Sequence, residues 1–168
     1  ALAAARRPMV VVGAGCRGRM PEIMALAERV AAPVATTFKA KGLVSDSHPL
    51  GVGVLGRSGT PVASWFMNEC DLIVVFGASF SNHTGIAPYK PTIQVDSDPM
   101  ALGRFHAVDI GLLGDVTVTA EALCSALPAA VSSSGPTDGI RAEVAARWAI
   151  WRAEKARRAA DDAAHGIG

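Results

Sequence analysis

The residues best suited to chemistry in this 168-residue chain form a glycine turn. Gly13-Ala14-Gly15-Cys16-Arg17-Gly18 fits the spacing G-x-G-x-x-G, directly after an apolar run and ahead of a helical pattern. Glycines permit a tight turn and close backbone approach, and a helix N-terminus attracts phosphate. A dinucleotide fold of the NAD type then needs a carboxylate about 20 residues on, at the end of the second strand, for the ribose hydroxyls. That window holds Thr36, Thr37, Phe38 and Lys39, without Asp or Glu, and Lys39 only partly replaces the arginine of an NADP site. Pro21 also starts the helix late. Two readings stay open: an NAD(P) site, or a tight structural turn without ligand contact.

No nucleophile arrangement stands out. Cys16, Cys70 and Cys124 are widely spaced, with no C-x-x-C pair and no histidine at metal spacing. They read as buried, reduced thiols of a cytoplasmic protein. His48, His83, His106 and His165 are scattered, and no G-x-S-x-G elbow accompanies them. No catalytic and no metal-ligating residue is assigned.

Stepping along the chain, short apolar runs alternate with helical patterns. Strands are expected at Met9–Val12, Val34–Phe38, Leu72–Phe76, Thr92–Val95 and Val108–Leu113. Helices are expected from Pro21 to Ala31, from a Thr60 cap and Pro61 to about Asn68, and from an Asp115 cap to about Leu127. The glycine-rich stretch from Lys41 to Gly59 shows no period. Such alternation gives a parallel sheet with helices on both faces, and ligands then bind outside the carboxyl ends of the strands. Five places qualify: Gly13–Gly18, Thr36–Lys39, Gly77–Ser81, Asp96–Asp98 and Gly114–Val116. Ala129–Pro136 reads as a linker, and Asp138 caps a last helix from about Gly139 to Ala163. On that helix Ile140, Val144, Trp148 and Trp151 share one stripe, which packs back on the domain or meets a neighbouring domain or subunit.

Composition narrows the classes. Sixteen basic against 15 acidic residues leave a net charge of +1, so no electrostatic footprint for nucleic acid exists. No apolar run reaches the roughly 18 residues that a membrane span needs. Half the residues are apolar and 18% are charged, enough for a buried core. The chain begins without methionine, as expected of an excised or processed piece.

An ordered set of motifs carries a family resemblance. It runs Thr37-Phe38-Lys39-Ala40-Lys41-Gly42, His48-Pro49-Leu50-Gly51, Leu55-Gly56-Arg57-Ser58-Gly59-Thr60, Cys70 to Phe80, Ile93 to Pro99, and Gly114-Asp115-Val116. From about Arg7 to Leu127 the chain resembles the central domain of thiamine-diphosphate-dependent enzymes, the group of acetolactate synthase, pyruvate oxidase and the 2-oxo-acid decarboxylases. The resemblance implies a Rossmann-like α/β fold, a parallel sheet of about six strands with helices on both faces, followed by a C-terminal helix. It divides the chain into a linker remnant over 1–7, a nucleotide-binding-like domain over 8–128, a linker over 129–138 and a helical segment over 139–168.

What the resemblance implies for function can be placed residue by residue. Gly56, Arg57, Ser58, Gly59 and Thr60 stand where flavin-binding members wrap the cofactor. Gly77, Ala78, Ser79 and Phe80 approach the same ligand, with Gly13 and Gly15 in the adjoining turn. Asp96, with Ser97 and Asp98, is placed for ribose hydroxyls, and Asp115 and Val116 for adenine. A carboxylate at a strand tip suits a diol, which offers two donors. Each also has a plain structural reading: Asp96 and Asp98 cap the Pro99 turn, Asp115 caps its helix, and Gly56 and Gly59 are turn glycines. The domain is therefore expected to hold FAD or ADP, or to be structural. Thiamine diphosphate and magnesium belong to the aminopyrimidine and diphosphate domains of a homo-oligomeric parent acting on a 2-oxo acid or acyl donor. Both are expected to lie outside this sequence, since no segment resembles the aminopyrimidine domain and the only Gly-Asp, Gly114-Asp115, lacks the third glycine of the diphosphate motif. The fragment alone is expected to be inactive, and the alternative is a stand-alone nucleotide-binding module.

Overall fold

The computed structural model describes residues 1–81, 84–129, 131 and 136–164. Within them six strands form one sheet: β1 Pro8–Val12, β2 Val34–Thr36, β3 Gly51–Val54, β4 Leu72–Phe76, β5 Thr92–Asp96 and β6 Ile110–Leu113. Every pairing is parallel, and the order is β3-β2-β1-β4-β5-β6. That is the doubly wound order, in which the chain's winding reverses between β1 and β4. Four α-helices accompany it among the described residues: α1 Met20–Arg29, α2 Pro61–Glu69, α3 Val116–Ala126 and α4 Pro136–Ala164. The Rossmann-like α/β architecture expected from the sequence is the one observed.

Strand alternation explains the two layers, because successive side chains point to opposite faces. Val10, Val12, Val74 and Phe76 face one layer, which holds Ile23 and Leu26 of α1 and Val116 and Ala120 of α3. Met9, Val11, Ile73 and Val75 face the other, with Phe66 and Met67 of α2 and Val144 and Trp148 of α4. β1 and β4 are thus buried at every residue, as continuous apolar runs in a parallel sheet should be.

Local signals set several boundaries. Thr60 Oγ1 accepts from the Ala63 amide at 3.1 Å, and Pro61 begins α2. Asp115 Oδ1 accepts from the Thr117 amide at 2.9 Å and opens α3. Other expectations need correction. β2 ends at Thr36, and Phe38–Ala40 turns into a single 3-10 turn. β6 begins at Ile110 rather than Val108, and three of its four residues are exposed. β3 lies inside the stretch that showed no period; Gly51 and Gly53 weaken its strand signal, and pairing with β2 supplies what propensity lacks. α4 begins at Pro136, since proline is accommodated in a first turn, so Asp138 is inside the helix and pairs with Arg141 at 3.7 Å. Cys16 and Cys70 are free and buried, and burial pushes both thiols up to about 11. Cys124 is free but only partly buried.

The tryptophan stripe packs back on the domain. Trp148 Nε1 donates to the Gly51 carbonyl at 2.8 Å, and Val144 beside it is buried. Across the same contact, Arg7 Nη2 donates to both Glu143 oxygens at 2.9 and 3.0 Å, and Trp65 Nε1 donates to Oε1 at 3.1 Å. Burial pushes the Glu143 carboxyl up, but the hydrogen bonds from Arg7 and Trp65 outweigh it and hold the group below its usual range. The Arg147 guanidinium lies 3.3 Å from the centre of the Trp65 ring, a cation–π contact.

Candidate functional site

The chain reverses its winding between β1 and β4, and there the glycines act on each other. The Gly13 amide donates to Phe76 O at 2.8 Å, and the Gly15 amide donates to Gly77 O at 3.1 Å. A Cβ on Gly13 would stand 2.0 Å from Gly77 O, and one on Gly77 would stand 2.9 Å from Gly15 Cα. Gly77 also has φ +56°, a conformation glycine adopts without steric cost. The first two glycines of the G-x-G-x-x-G run therefore stitch the β1 loop to the β4 loop. Gly18, at φ +72° with open space around it, completes the turn into α1.

This stitched main chain floors a cleft of about 340 Å³. Its walls come from the β2 end (Thr37, Phe38, Lys39), the β4 end (Gly77 to Ser81) and the β5 end (Asp96, Asp98). A second cleft of about 300 Å³ continues from it toward β3, lined by Gly56, Arg57, Ser58 and Gly59. Phe38, Lys39 and Ser81 line both, so the two form one groove across the carboxyl ends of the strands. Arg57 places positive charge in the second cleft, Lys39 places it at the junction, and Asp96 and Asp98 place negative charge in the first.

The structure gathers Gly15, Gly77, Ala78, Ser79, Phe80, Asp96 and Asp98 in the first cleft and Gly56, Arg57, Ser58 and Gly59 in the second. It does not bring Gly13, Thr60, Ser97, Asp115 or Val116 into the lining of either. Gly13 is spent on the stitch and Thr60 on its cap. Asp115 caps α3 and is ion-paired with Arg19. Asp96 Oδ1 accepts from the Asp98 amide at 3.0 Å, and Asp98 Oδ1 accepts from the Met100 amide at 2.9 Å. Each carboxylate thus shapes the turn with one oxygen, and no hydrogen bond among the described residues engages the other.

The backbone conformation of Phe80 and the role of Gln94 escape a reading of motifs. Phe80 is buried with φ +54°, a left-handed conformation rare for a bulky residue, and its ring meets His106 edge-on with centroids 6.0 Å apart. Gln94 is fully buried within β5. Its Nε2 donates to Ala78 O and to Ala101 O, each at 3.0 Å, and its Oε1 accepts from the Gly103 amide at 2.8 Å. One amide side chain therefore joins the β4 loop to the β5 loop. The available signal was a polar residue between Ile93 and Val95 in an otherwise apolar strand. Among the described residues, no group of three or more His, Cys, Asp or Glu is placed to hold a metal ion. No described helix is long and apolar enough to cross a membrane.

Comparison with known proteins adds four findings. The family model described as "Thiamine pyrophosphate enzyme, central domain" matches residues 1–123. A Bacillus subtilis (strain 168) protein, YdaP, described as thiamine pyrophosphate-containing, is 39% identical over 111 residues, covering 66% of this chain and 19% of the relative. The acetolactate synthase isozyme 2 large subunit of Escherichia coli (strain K12) is 35% identical over 130 residues, covering 73% of this chain and 24% of that protein. An X-ray structure from Mycobacterium smegmatis, described as a thiamin diphosphate-dependent enzyme, superposes with a TM-score of 0.61 at 25% identity, covering 76% of this chain and 26% of that one. The chain thus spans about a fifth to a quarter of the length of these proteins.

Proposed function

This chain belongs to the family of thiamine pyrophosphate enzyme central domains, and from that premise we propose that its strand-end groove holds an adenine nucleotide, FAD or ADP, within a larger enzyme acting on a 2-oxo acid or acyl donor. The observation that carries the reading is the continuity of the two clefts, which share Phe38, Lys39 and Ser81 and have opposite charge at their ends. Lys39 and Arg57 suit a diphosphate, and the carboxylates of Asp96 and Asp98 suit the hydroxyls of a ribose. The main-chain floor at Gly15 and Gly77 lets a ligand approach without meeting side chains.

The chemistry of the parent enzyme lies in other domains in this proposal. Thiamine diphosphate supplies carbanion stabilisation when bound. Among the described residues no group of three or more His, Cys, Asp or Glu is placed to hold a magnesium ion. The work of this chain is to bind, orient and shelter a nucleotide and to join the two catalytic domains.

A second reading has its own observation. The Gly13–Gly77 stitch fills the switch-point crevice with main chain, as a purely structural domain would. Titration of the purified chain with FAD and with ADP separates the two. At a ligand concentration of about 100 times Kd, nucleotide binding raises stability by about 2.7 kcal/mol, and FAD changes its visible spectrum. Lys39→Ala and Asp96→Ala should each weaken binding by about tenfold, a loss of about 1.4 kcal/mol. No spectral change and no thermal shift with either nucleotide would leave the structural reading standing.

A further inference from the structure

A cavity of about 540 Å³ lies apart from the nucleotide groove, where α4 crosses the end of β3. Three segments line it: Lys41 to Asp46 after β2, the Ser58–Thr60 loop, and the stretch of α4 from Trp148 to Lys155. Its volume falls within the usual range of small-molecule sites. The two sites share Val54, Ser58 and Gly59, so the loop before α2 is the wall between them.

The lining has a consistent chemistry. Lys41, Arg152 and Lys155 bring three positive charges against the single carboxylate of Asp46, a formal excess of two. Among the described residues none of these cations has a carboxylate partner within ion-pair distance. The Arg152 guanidinium instead stands 5.4 Å over the Trp148 ring. Trp151, partly buried on the same helix face, adds an aromatic surface, and Ser58 adds a hydroxyl, while Ser45 Oγ is engaged by the Ser47 hydroxyl at 2.8 Å and the Ser47 amide at 3.2 Å. Thr60 is committed elsewhere, since its Oγ1 donates to Val52 O at 2.7 Å and caps α2. Unpaired cations gathered beside indole rings are arranged to meet a group that is both dianionic and planar or apolar. A phosphate monoester carries close to two negative charges at neutral pH and takes charge-assisted hydrogen bonds from Arg and Lys.

We infer that this cavity is a second small-molecule site, which takes a phosphate monoester carrying an aromatic or apolar group, with the phosphate on Lys41, Arg152 and Lys155 and the apolar part against Trp151. The site is independent of the nucleotide reading, because none of its cations lines the strand-end groove.

Phenyl phosphate is the probe, with inorganic phosphate and benzyl alcohol as its two halves. Titrated into the 168-residue chain, phenyl phosphate should bind saturably at one site by calorimetry and change tryptophan fluorescence. Each half alone should bind at least about tenfold more weakly. Arg152→Ala combined with Lys155→Ala should weaken phenyl phosphate by about tenfold or more with the melting temperature little changed, because both residues are exposed. If that variant does not fold, Lys41→Glu on the opposite wall should give the same loss. Absence of saturable binding overturns the inference. So does equal affinity for inorganic phosphate, or binding that survives these changes and is lost in Lys39→Ala, which would place the probe in the nucleotide groove.

Discussion

The two edges of the sheet invert what their sequences suggest. β6 reads as an apolar strand, yet Leu113 is 62% exposed at its end. β3 is half glycine and shows no strand pattern, yet Gly51, Val52 and Gly53 are all buried. The difference lies in what covers each edge. Trp148 of α4 lies over β3 and bonds Gly51 O, and a Cβ on Gly53 would come within 3.3 Å of its ring. The glycines leave the room that the tryptophan fills. At an edge, burial is set by the element that docks there more than by the strand's own hydrophobicity.

That comparison breaks most sharply at Trp148. Trp148→Ala should lower stability by about 3–5 kcal/mol, since it removes a buried indole and strands the Gly51 carbonyl. Urea unfolding measures it, and a loss below about 1 kcal/mol would mean that α4 does not hold the β3 edge. Gly53→Ala tests the same contact from the other side. Its φ is +85° and its Cβ would stand 2.8 Å from Thr60 Cγ2, so a loss of about 1–3 kcal/mol is expected in the same assay.

Between the edges, the buried thiols give a pH-dependent test. Cys16 and Cys70 ionise less readily in the folded chain, at about 11 against an ordinary 9.0. The folded state therefore holds protons that the unfolded state releases. Stability from this source is intact below pH 9.0 and is lost as pH rises toward about 11. Urea midpoints should fall across that window, and less steeply in a Cys16→Ala, Cys70→Ala variant. The smallest effect belongs to the open edge: Leu113→Ser should change stability by no more than about 0.5 kcal/mol. A larger loss would show that β6 is held as β3 is.

The inversion also shows where the sequence was legible. Leu72–Phe76 stood out because a fully buried strand needs no partner to announce it, and Asp115 and Thr60 because a cap is local chemistry. β3 did not, because its burial depends on a tryptophan nearly a hundred residues away. In the same way the candidate groove was legible as strand-end loops and as a family resemblance. Gln94 went unassigned because its role is to hold three main-chain groups that only the fold brings within reach. Lys39 and Ser81 were placed at strand ends by topology, but their joining of two clefts is a fact of three dimensions.

The main-chain stitch under the groove has a consequence for change. Its contacts run from amide to carbonyl, so substitutions on the rim at Lys39, Arg57 or Asp96 leave it untouched. The ligand can then be exchanged or lost by altering the rim alone, while the platform stays fixed. Gly13 and Gly77 are the opposite case: a side chain at either would collide with the neighbouring loop. Tolerance and intolerance thus sit a few ångströms apart. A library that varies the rim and keeps the two glycines should return folded proteins of differing ligand preference, and one that varies the glycines should return few folded proteins at all.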